Sequence, residues 1–269
     1  MSGNEARSFV LEGRDLHLGY AGGADVVAGL DVAIETGSFA VIVGPNACGK
    51  SALLRSLSKV LPPRSGTVLL DGREIAGMRP KAFAREVGFL AQSSIAPEGI
   101  TVHELVSRGR YPYQSVLHQW SDEDDEQVST AMERTNVSAL ATRRVAELSG
   151  GQRQRVWIAM ALAQQTRVLL LDEPTTFLDL AHQVEVLELN QVLGTTVVAV
   201  LHDLNQACRY ADRIIAMRDG QILTQGKPSD VMTAETVEQV FGLEVSVTPD
   251  PVTGTPLVLP APPRTHNTE

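Results

Sequence analysis

The chain has 269 residues, with 32 acidic and 23 basic side chains and a formal net charge of -9. This length suits one large domain or two closely packed ones. Hydrophobic residues make up 43% of it, and the longest apolar run, residues 156–163, is far shorter than the roughly 18 residues that span a bilayer. The composition fits neither a disordered tail nor a membrane-spanning protein, and the acidic charge argues against binding along phosphodiester backbones.

Two further features predict the compartment. The chain opens without a basic stretch followed by an apolar one, so we expect no export across a membrane. Its two cysteines, Cys48 and Cys208, are too few for a disulfide scaffold, and a reducing cytosol is therefore the expected environment.

Three continuous apolar runs predict strands that are buried on both faces. They are Phe39–Val43, Val168–Asp172 and residues 197–201. Such runs are typical of a parallel sheet covered by helices. A helical pattern at residues 202–211 follows the third run, and strands that alternate with helices predict an α/β domain.

Other segments have the patterns of antiparallel strands or of helices. Residues 10–18, 26–34 and 66–70 predict strands of an antiparallel sheet, and so does a hairpin at 213–217 and 221–224 that turns at Asp219-Gly220. The pattern from residue 93 to 155 is mostly helical, with an acidic patch at 122–126. We interpret this stretch as an inserted helical subdomain.

A glycine-rich loop follows the first apolar run. Its residues are Gly44, Pro45, Asn46, Ala47, Cys48, Gly49, Lys50 and Ser51. They fit the pattern G-x-x-x-x-G-K-[ST] between a predicted strand and a predicted helix, which is the context of a phosphate-binding loop rather than of an incidental turn. Glycines let the backbone amides approach phosphates, and the helix N-terminus adds a favourable dipole. We expect Lys50 to bind the β- and γ-phosphates and the Ser51 hydroxyl to ligate Mg²⁺.

Two acids, Asp172 and Glu173, end the second apolar run. An acid at this point can hold the Mg²⁺ shell, and a second carboxylate can orient or deprotonate an attacking water. Alone, such a pair is more often a solvated strand end, but together with the phosphate loop the catalytic interpretation dominates. We predict Asp172 as the acid on the metal side and Glu173 as the general base.

The pentapeptide Leu148-Ser-Gly-Gly-Gln152 precedes a helical pattern. It resembles the signature of ATP-binding-cassette (ABC) ATPases, and the rest of the chain is similar to that family from end to end. The matching positions outside the loop are Tyr20 for the aromatic that stacks on adenine, Gln92 for the Q-loop glutamine, Leu178-Asp179 for the D-loop and His202 for the switch histidine. Singly several of these are weak signals, but their order and spacing in one chain identify the family.

The resemblance implies a fold and its subdivisions. The fold is an α/β P-loop NTPase (RecA-like) core with an N-terminal antiparallel β subdomain and an inserted helical subdomain. Residues 1–92 and 156–248 form the core and the β subdomain, and 93–155 the helical subdomain. Residues 249–269 form a tail, rich in Pro and Thr, that we expect to pack loosely or fray.

The signature implies a partner. Ser149, Gly150 and Gly151 lie at a predicted helix N-terminus, which offers free amides and a positive dipole to an anion. In the family, the signature of one subunit caps the ATP held by the phosphate loop of the other, in a head-to-tail dimer. Gln152 and Asp179 belong to the same predicted ATP-contacting set. A single cassette therefore implies a second one, most simply an identical copy.

Three residues in or beside the loop carry expectations of their own. Ala47 stands where the family often has Gly, so the local turn must suit a residue with a Cβ. Ala52 stands where the family usually has Thr, whose hydroxyl helps hold the α-phosphate, and we expect weaker nucleotide affinity. Cys48 lies beside Lys50 and a helix N-terminus, which predicts a lowered thiol pKa and a reactive thiol, unless burial makes it merely a small residue that fits the loop.

A finer resemblance points to the subgroup that energises ferric-siderophore importers. It rests on residues 97–113, on 202–212 with 217–220, and on 249–257. The first stretch falls where cassettes of this family meet the coupling helix of the permease. Cobalamin and haem importers use closely similar cassettes and stay open as alternatives.

This resemblance implies ligands, roles and partners. The ligands are ATP and Mg²⁺, the latter held by Ser51, Gln92 and Asp172. Catalysis falls to Glu173, His202, Gln92 and Lys50. The partners are a second ATPase subunit, transmembrane permease subunits and, indirectly, an extracytoplasmic substrate-binding protein, which places the chain at the cytoplasmic face of the membrane.

Other classes fit less well. A soluble ABC ATPase that acts on nucleic acid typically carries coiled-coil insertions or tandem cassettes, and neither a sustained heptad nor a second phosphate loop occurs in the sequence. The charge of -9 also disfavours a nucleic-acid partner. A P-loop kinase or helicase-like motor lacks residues 148–152, and a nucleotide sensor without turnover is disfavoured by Glu173 and His202.

Overall fold

The computed structural model describes residues 9–92, 94–114, 120–176, 178–192 and 194–261. The strands in this part of the chain are β1 (Phe9–Leu18), β2 (Val27–Glu35), β3 (Phe39–Val43), β4 (Ser65–Leu70), β5 (Arg73–Glu74), β6 (Val87–Leu90), β7 (Val168–Asp172), β8 (Thr196–Val200), β9 (Arg213–Arg218), β10 (Gln221–Gly226), β11 (Val245–Pro249) and β12 (Pro256–Pro260). The helices are α1 (Lys50–Leu57), α2 (Pro80–Ala84), α3 (Val102–Ser107), α4 (Asp122–Arg134), α5 (Gly150–Ala163), α6 (Leu180–Val192), α7 (Leu204–Tyr210), α8 (Pro228–Val231) and α9 (Ala234–Phe241).

A six-stranded sheet in the order β10-β9-β3-β8-β7-β6 forms the centre of the molecule. The pairings from β9 through β6 are parallel, and Val200 of β8 lies opposite both Ile42 of β3 and Asp172 of β7. Every residue of β3, β7 and β8 is buried, as the continuous apolar runs predict. This register brings the carboxyl ends of the three strands to one edge, where ligands bind in open α/β sheets.

The hairpin β9–β10 corrects one prediction. Its two strands pair with each other in antiparallel orientation, but β9 is also parallel to β3 and belongs to the central sheet. Residues 214–217 of β9 are buried on both faces, which requires cover on each side and favours an interior position beside β3. Only β10, at the edge, alternates between exposed and half-buried residues.

A second, four-stranded sheet is antiparallel throughout, in the order β2-β1-β4-β5. Leu11, Leu16, Leu18, Leu30 and Ile34 are fully buried on its inner face. They share one apolar cluster with the side chains of α1 and with one face of the central sheet. The predicted antiparallel β subdomain is therefore confirmed, and its core anchors the helix that follows the phosphate loop.

Helices α3, α4 and α5 lie between β6 and β7 and pack on one another through a second apolar cluster. Helix α5 runs from Gly150 to Ala163 without a break, so the predicted subdomain boundary after residue 155 falls inside a helix. None of the helices in the described ranges has the length and apolar character needed to cross a membrane.

The segment after residue 249 corrects a second prediction. Strands β11 and β12 form an antiparallel hairpin in which Val258 is buried. The Asn205 side chain of α7 accepts from the Val258 amide at 2.7 Å and donates to its carbonyl at 3.3 Å. The expectation of a loosely packed tail is wrong up to Ala261, because Asn205 satisfies the outer edge of β12 as a neighbouring strand would. Residues 262–269 lie outside the described residues.

Candidate functional site

The loop between β3 and α1 has the backbone conformation that a tight phosphate-type turn demands. Gly44 and Gly49 have φ angles of 155° and 103°. A Cβ on Gly44 would lie 2.2 Å from the Met217 carbonyl oxygen, and one on Gly49 would lie 2.7 Å from Val27. Ala47 also has a positive φ, of 63°, so the turn holds its Cβ in a left-handed conformation that costs roughly 1–2 kcal/mol. The backbone is therefore strained at Ala47, which lines the cavity beside the loop.

The Lys50 side chain is buried and folds back over the loop. Its Nζ donates hydrogen bonds to the carbonyl oxygens of Gly44 at 2.8 Å and of Pro45 at 2.7 Å. The ammonium group is thus held above the loop by neutral acceptors alone. Carbonyl partners carry no charge of their own, so the ammonium group can attract an anion to this loop.

Ser51 joins the loop to the end of β7. Its hydroxyl donates to Asp172 Oδ1 at 2.9 Å, whereas Asp172 Oδ2 is buried and accepts no hydrogen bond. Arg55 on α1 forms a long ion pair with that oxygen, with Nη2 at 3.9 Å. Burial raises the pKa of Asp172, and the Ser51 hydrogen bond and the Arg55 charge oppose this shift. One carboxylate oxygen is therefore desolvated and short of a partner.

Glu173 is the centre of a hydrogen-bonded group at the edge of the sheet. Gln92 Nε2 donates to its Oε2 at 2.6 Å, and the Thr176 hydroxyl donates to the same oxygen at 3.2 Å. His202 Nε2 lies 2.6 Å from Oε1. The backbone of Glu173 has a φ of 53°, a conformation that costs energy in a non-glycine residue and is found at functional sites. The strained backbone and these three contacts together fix the orientation of the Glu173 carboxylate.

A cavity of about 250 Å³ opens beside the loop. It is lined by Tyr20, Val26, Asn46, Ala47, Gly49, Lys50, Ser51, Ala52 and Glu173. Tyr20, on the loop between β1 and β2, has an exposed ring whose hydroxyl accepts from Arg55 Nη1 at 3.3 Å. The cavity therefore combines an aromatic ring, the ammonium-bearing loop and a carboxylate, which are groups that suit a base, phosphates and a water.

Residues 27–176, more than half of the chain, match the ABC transporter family. The chain belongs to this family. It is 52% identical over 254 residues to the ferric enterobactin transport ATP-binding protein FepC of Escherichia coli, with 93% of each chain covered. It is 51% identical over 249 residues to the probable siderophore transport ATP-binding protein YusV of Bacillus subtilis, which covers 91% of this chain and 90% of that protein.

Solved ABC structures share its fold. A metal-chelate type ABC transporter in an inward-facing conformation matches with a TM-score of 0.79 at 26% identity, over 95% of this chain and 98% of that one. The dimeric structure of the ABC transporter cassette MJ0796 matches with a TM-score of 0.72 at 27% identity, over 81% and 98%. The predicted α/β P-loop architecture is confirmed, and the chain is an ABC-type, nucleotide-binding ATPase.

The ABC signature lies at the start of α5. Ser149 is the N-cap: its hydroxyl accepts from the Gln152 amide at 3.3 Å, and Gln152 Oε1 accepts from the Ser149 amide at 3.2 Å. This capping box leaves the amides of Gly150 and Gly151, which are exposed and half-exposed, without helical acceptors. Leu178 packs beside Gly151, since a Cβ on that glycine would lie 3.5 Å from it. The signature and the D-loop are thus adjacent.

The structure does not bring every predicted ATP-contacting residue to one cavity. Ser149, Gly150, Gly151, Gln152 and Asp179 are absent from the lining of the phosphate-loop cavity of the same chain. Asp179 instead accepts from the His182 amide at 3.0 Å, at the start of α6. The signature and the phosphate loop therefore lie in two separate regions of one chain.

The thiol of Cys48 does not line the phosphate-loop cavity but lies beneath the loop, where its Sγ accepts from Lys50 Nζ at 4.0 Å. The residue is 4% exposed, and its Sγ lies against the backbone of Gly44 within the apolar cluster under the loop. Burial raises the pKa of the thiol despite the Lys50 ammonium nearby. The expectation of a lowered pKa and a reactive thiol is wrong, because desolvation outweighs the neighbouring charge.

Two residues of the site have no motif of their own. Arg55 connects Tyr20 to Asp172, and Thr176 supports Glu173. Arg55 lies four residues after Ser51 on α1, on the same helix face, and this spacing is a signal from which the sequence could have suggested it. Nothing in the sequence pattern singles out Thr176, whose contact depends on the turn after Glu173.

Proposed function

We propose that this ABC ATPase is the ATP-hydrolysing subunit of an importer for ferric siderophores. The observation that carries the proposal of hydrolysis is the group Gln92–Glu173–His202, which holds a carboxylate at the rim of the phosphate-loop cavity. The cargo is supported by the relatives above, whose names specify ferric enterobactin and siderophores.

ATP binds through the loop and the aromatic ring. The first amides of α1 and the positive end of its dipole receive the phosphates. Lys50 turns from the carbonyls of Gly44 and Pro45 toward the β- and γ-phosphates, where it finds full negative charge in place of neutral oxygens. The exposed ring of Tyr20 stacks on the adenine. Ala52, which is buried and lines the cavity, supplies no hydroxyl to the α-phosphate, so the prediction of weaker affinity stays a prediction.

The residues at the end of β7 fit a magnesium ion. Mg²⁺ is usually held by one or two carboxylates together with substrate phosphates, and Asp172 offers a buried oxygen that accepts no hydrogen bond. The Ser51 hydroxyl, 2.9 Å from the other oxygen of the same carboxylate, would be a second ligand, and the Gln92 side chain would be a third. When bound, the ion neutralises charge that develops on the β- and γ-phosphates.

Hydrolysis depends on Glu173 as general base. Its carboxylate takes a proton from the water that attacks the γ-phosphate, and Gln92 and Thr176 fix its direction through Oε2. Before this proton transfer, His202 exchanges its contact with Oε1 for one with the γ-phosphate, which frees that oxygen for the water. A base positioned in this way contributes about 10²–10⁴-fold to the rate.

Two copies of the chain complete each site. The free amides of Gly150 and Gly151 and the dipole of α5 are suited to cap a γ-phosphate held by the loop of a second copy, as the dimeric ABC cassette among the structural relatives suggests. Closure and reopening of the pair drive a transmembrane permease that a substrate-binding protein supplies from outside. This assembly places the chain at the cytoplasmic face of the membrane. Residues 1–92 and 156–248 supply the core and the β subdomain and 93–155 the helical subdomain, and helix α5 crosses the boundary between them.

A growth and uptake experiment tests the cargo. The gene is deleted, and the strain is supplied with single iron sources, haem or cobalamin. Loss of ⁵⁵Fe uptake from ferric siderophores alone, restored by the wild-type gene but not by Glu173→Gln, is the expected result. Loss of cobalamin or haem uptake with normal siderophore uptake would reassign the cargo. Retention of all three would remove the importer proposal.

A further inference from the structure

The loop that carries Tyr20 is held by one arginine from a distant part of the chain. Arg64 precedes β4, and its guanidinium donates to Asp25 Oδ1 at 2.6 Å and to the carbonyl oxygens of Tyr20 at 2.7 Å and Gly23 at 2.8 Å. Its own amide donates to the His17 carbonyl at 2.8 Å. One rigid, planar group thus binds three acceptors spread over six residues of the loop.

The loop is shaped to admit this guanidinium. A Cβ on Gly19 would lie 2.7 Å from Arg64 Cζ and 2.8 Å from the Ala24 carbonyl oxygen. Any larger residue at position 19 would displace the arginine from the centre of the loop. Gly23 closes the turn by donating its amide to the Tyr20 carbonyl at 3.0 Å. The same carbonyl therefore receives both the turn hydrogen bond and the arginine.

The far end of the loop packs against the phosphate loop. The Val26 amide donates to the Leu18 carbonyl at 2.7 Å, and Val26 lines the cavity together with Tyr20. A Cβ on Gly49 would lie 2.7 Å from Val27 Cγ2, and one on Gly220 would lie 2.3 Å from the Val26 carbonyl oxygen. Backbone packing against Gly49 and Gly220 thus holds the far end of the loop, whereas Arg64 holds the backbone at Tyr20.

We infer that Arg64 is a positioning residue for the nucleoside half of ATP: it holds the backbone of Tyr20 so that the ring is already placed for stacking. This inference rests on the proposed function, in which Tyr20 stacks on adenine. Because Arg64 does not line the cavity, it acts through the loop and not on the phosphates. Preorganisation of this kind lowers the entropy lost on binding, so it appears in affinity rather than in turnover.

The test compares MgATP with magnesium tripolyphosphate, which has the phosphates but no base. Arg64→Ala is expected to raise the Kd for MgATP about tenfold and to leave the Kd for tripolyphosphate unchanged. KM for ATP rises while kcat at saturating ATP stays the same. Arg64→Lys keeps the charge without the planar fork and gives an intermediate loss. Arg73→Ala, an exposed arginine on β5, is the matched control and changes neither affinity.

Three outcomes overturn the inference. They are equal weakening of ATP and tripolyphosphate, no weakening of ATP, or an Arg64→Ala effect that persists in full in a Tyr20→Ala background, since coupled residues must be non-additive. Thermal unfolding of each variant checks the fold, and Arg64→Lys carries the test if Arg64→Ala does not fold. A Tyr20→Ala variant that binds ATP normally would instead remove the stacking role from the proposed function, and Arg64's role with it.

Discussion

Glu173 and His202 are in direct contact, with carboxylate Oε1 2.6 Å from imidazole Nε2, across the ends of neighbouring strands β7 and β8. The contact follows from the parallel register, which places the last residue of β7 opposite the last residue of β8. Gln92 approaches the same carboxylate from the end of β6, the next strand in the sheet. The strands on either side of β7 thus each bring one side chain to the carboxylate that follows β7.

Glu173→Gln should separate binding from turnover. The amide keeps the size of the side chain but removes the base, so ATP hydrolysis is expected to fall by about 10²–10⁴-fold. Nucleotide affinity should stay close to that of the wild type, because Lys50 and Ser51 are unchanged. Phosphate release and binding of a fluorescent ATP analogue measure the two quantities. Hydrolysis near the wild-type rate would reject Glu173 as the base.

The features that could be predicted from the sequence are those with local chemical requirements. The phosphate loop needs glycines where a Cβ would meet the backbone at 2.2 Å, and buried parallel strands need uninterrupted apolar runs. Both requirements are visible in a short stretch of sequence. The structure confirms that the runs form the buried strands β3 and β7 and that the loop directly follows β3.

The features that could not be predicted depend on pairings between distant segments. Strand β9 reads as half of a hairpin, and only its placement beside β3 makes it a central strand. The C-terminal hairpin depends on Asn205, 53 residues before Val258. The Cys48 side chain packs into the core beneath the loop, and this direction depends on the fold of the whole loop, which the identity of residue 48 does not reveal.

The buried thiol of Cys208 predicts an alkaline limit to stability. Burial, with the Asp203 charge adding to it, raises its pKa from 9.0 to about 12. Because the folded-state pKa is raised, the contribution of the neutral thiol to the unfolding free energy is complete below pH 9. It is lost as the pH rises from 9 toward 12. Over that window it reduces the unfolding free energy by up to about 1.4 kcal/mol per pH unit. Urea denaturation at pH 8 and 10 should therefore show a shallower pH dependence for Cys208→Ala; equal slopes would contradict the assignment.

The ion pair between Arg110 and Asp124 links α4 to the segment after α3 and is almost fully buried, at 3% and 6% side-chain exposure. Burial raises the pKa of Asp124, but hydrogen bonds from Arg110 and Ser121 outweigh it, so the pKa lies below its usual value. Asp124→Asn leaves the arginine charge buried without its partner and should destabilise the protein by about 3–5 kcal/mol.

The matched control for this pair is Asp122→Asn, an exposed acid in the first turn of the same helix, which should cost only about 0.3–1 kcal/mol. Since the folded-state pKa of Asp124 is depressed, its contribution is present above pH 4 and is lost as the pH falls through the folded pKa. Urea denaturation at pH 7 and pH 3.5 measures both effects. A loss equal to that of the control, or one that does not diminish in acid, would show that the pair contributes little.

A mixing experiment tests whether phosphate loop and signature act in different copies. Lys50→Ala removes the ammonium group from the phosphate loop, and Ser149→Arg places a bulky cation over the N-terminus of α5. Each variant alone should be inactive, because every composite site in its dimer contains a defect. In a mixed dimer, the intact loop of the Ser149→Arg chain faces the intact signature of the Lys50→Ala chain, and one complete site is restored. Phosphate release from the mixture should therefore exceed the sum of the separate variants and rise to a maximum near equal proportions.

A mixture of Lys50→Ala with Glu173→Gln is the control, since both defects lie on the loop side and no complete site can form. Recovery in the control as well, or in neither mixture, would contradict the exchange of signatures between copies.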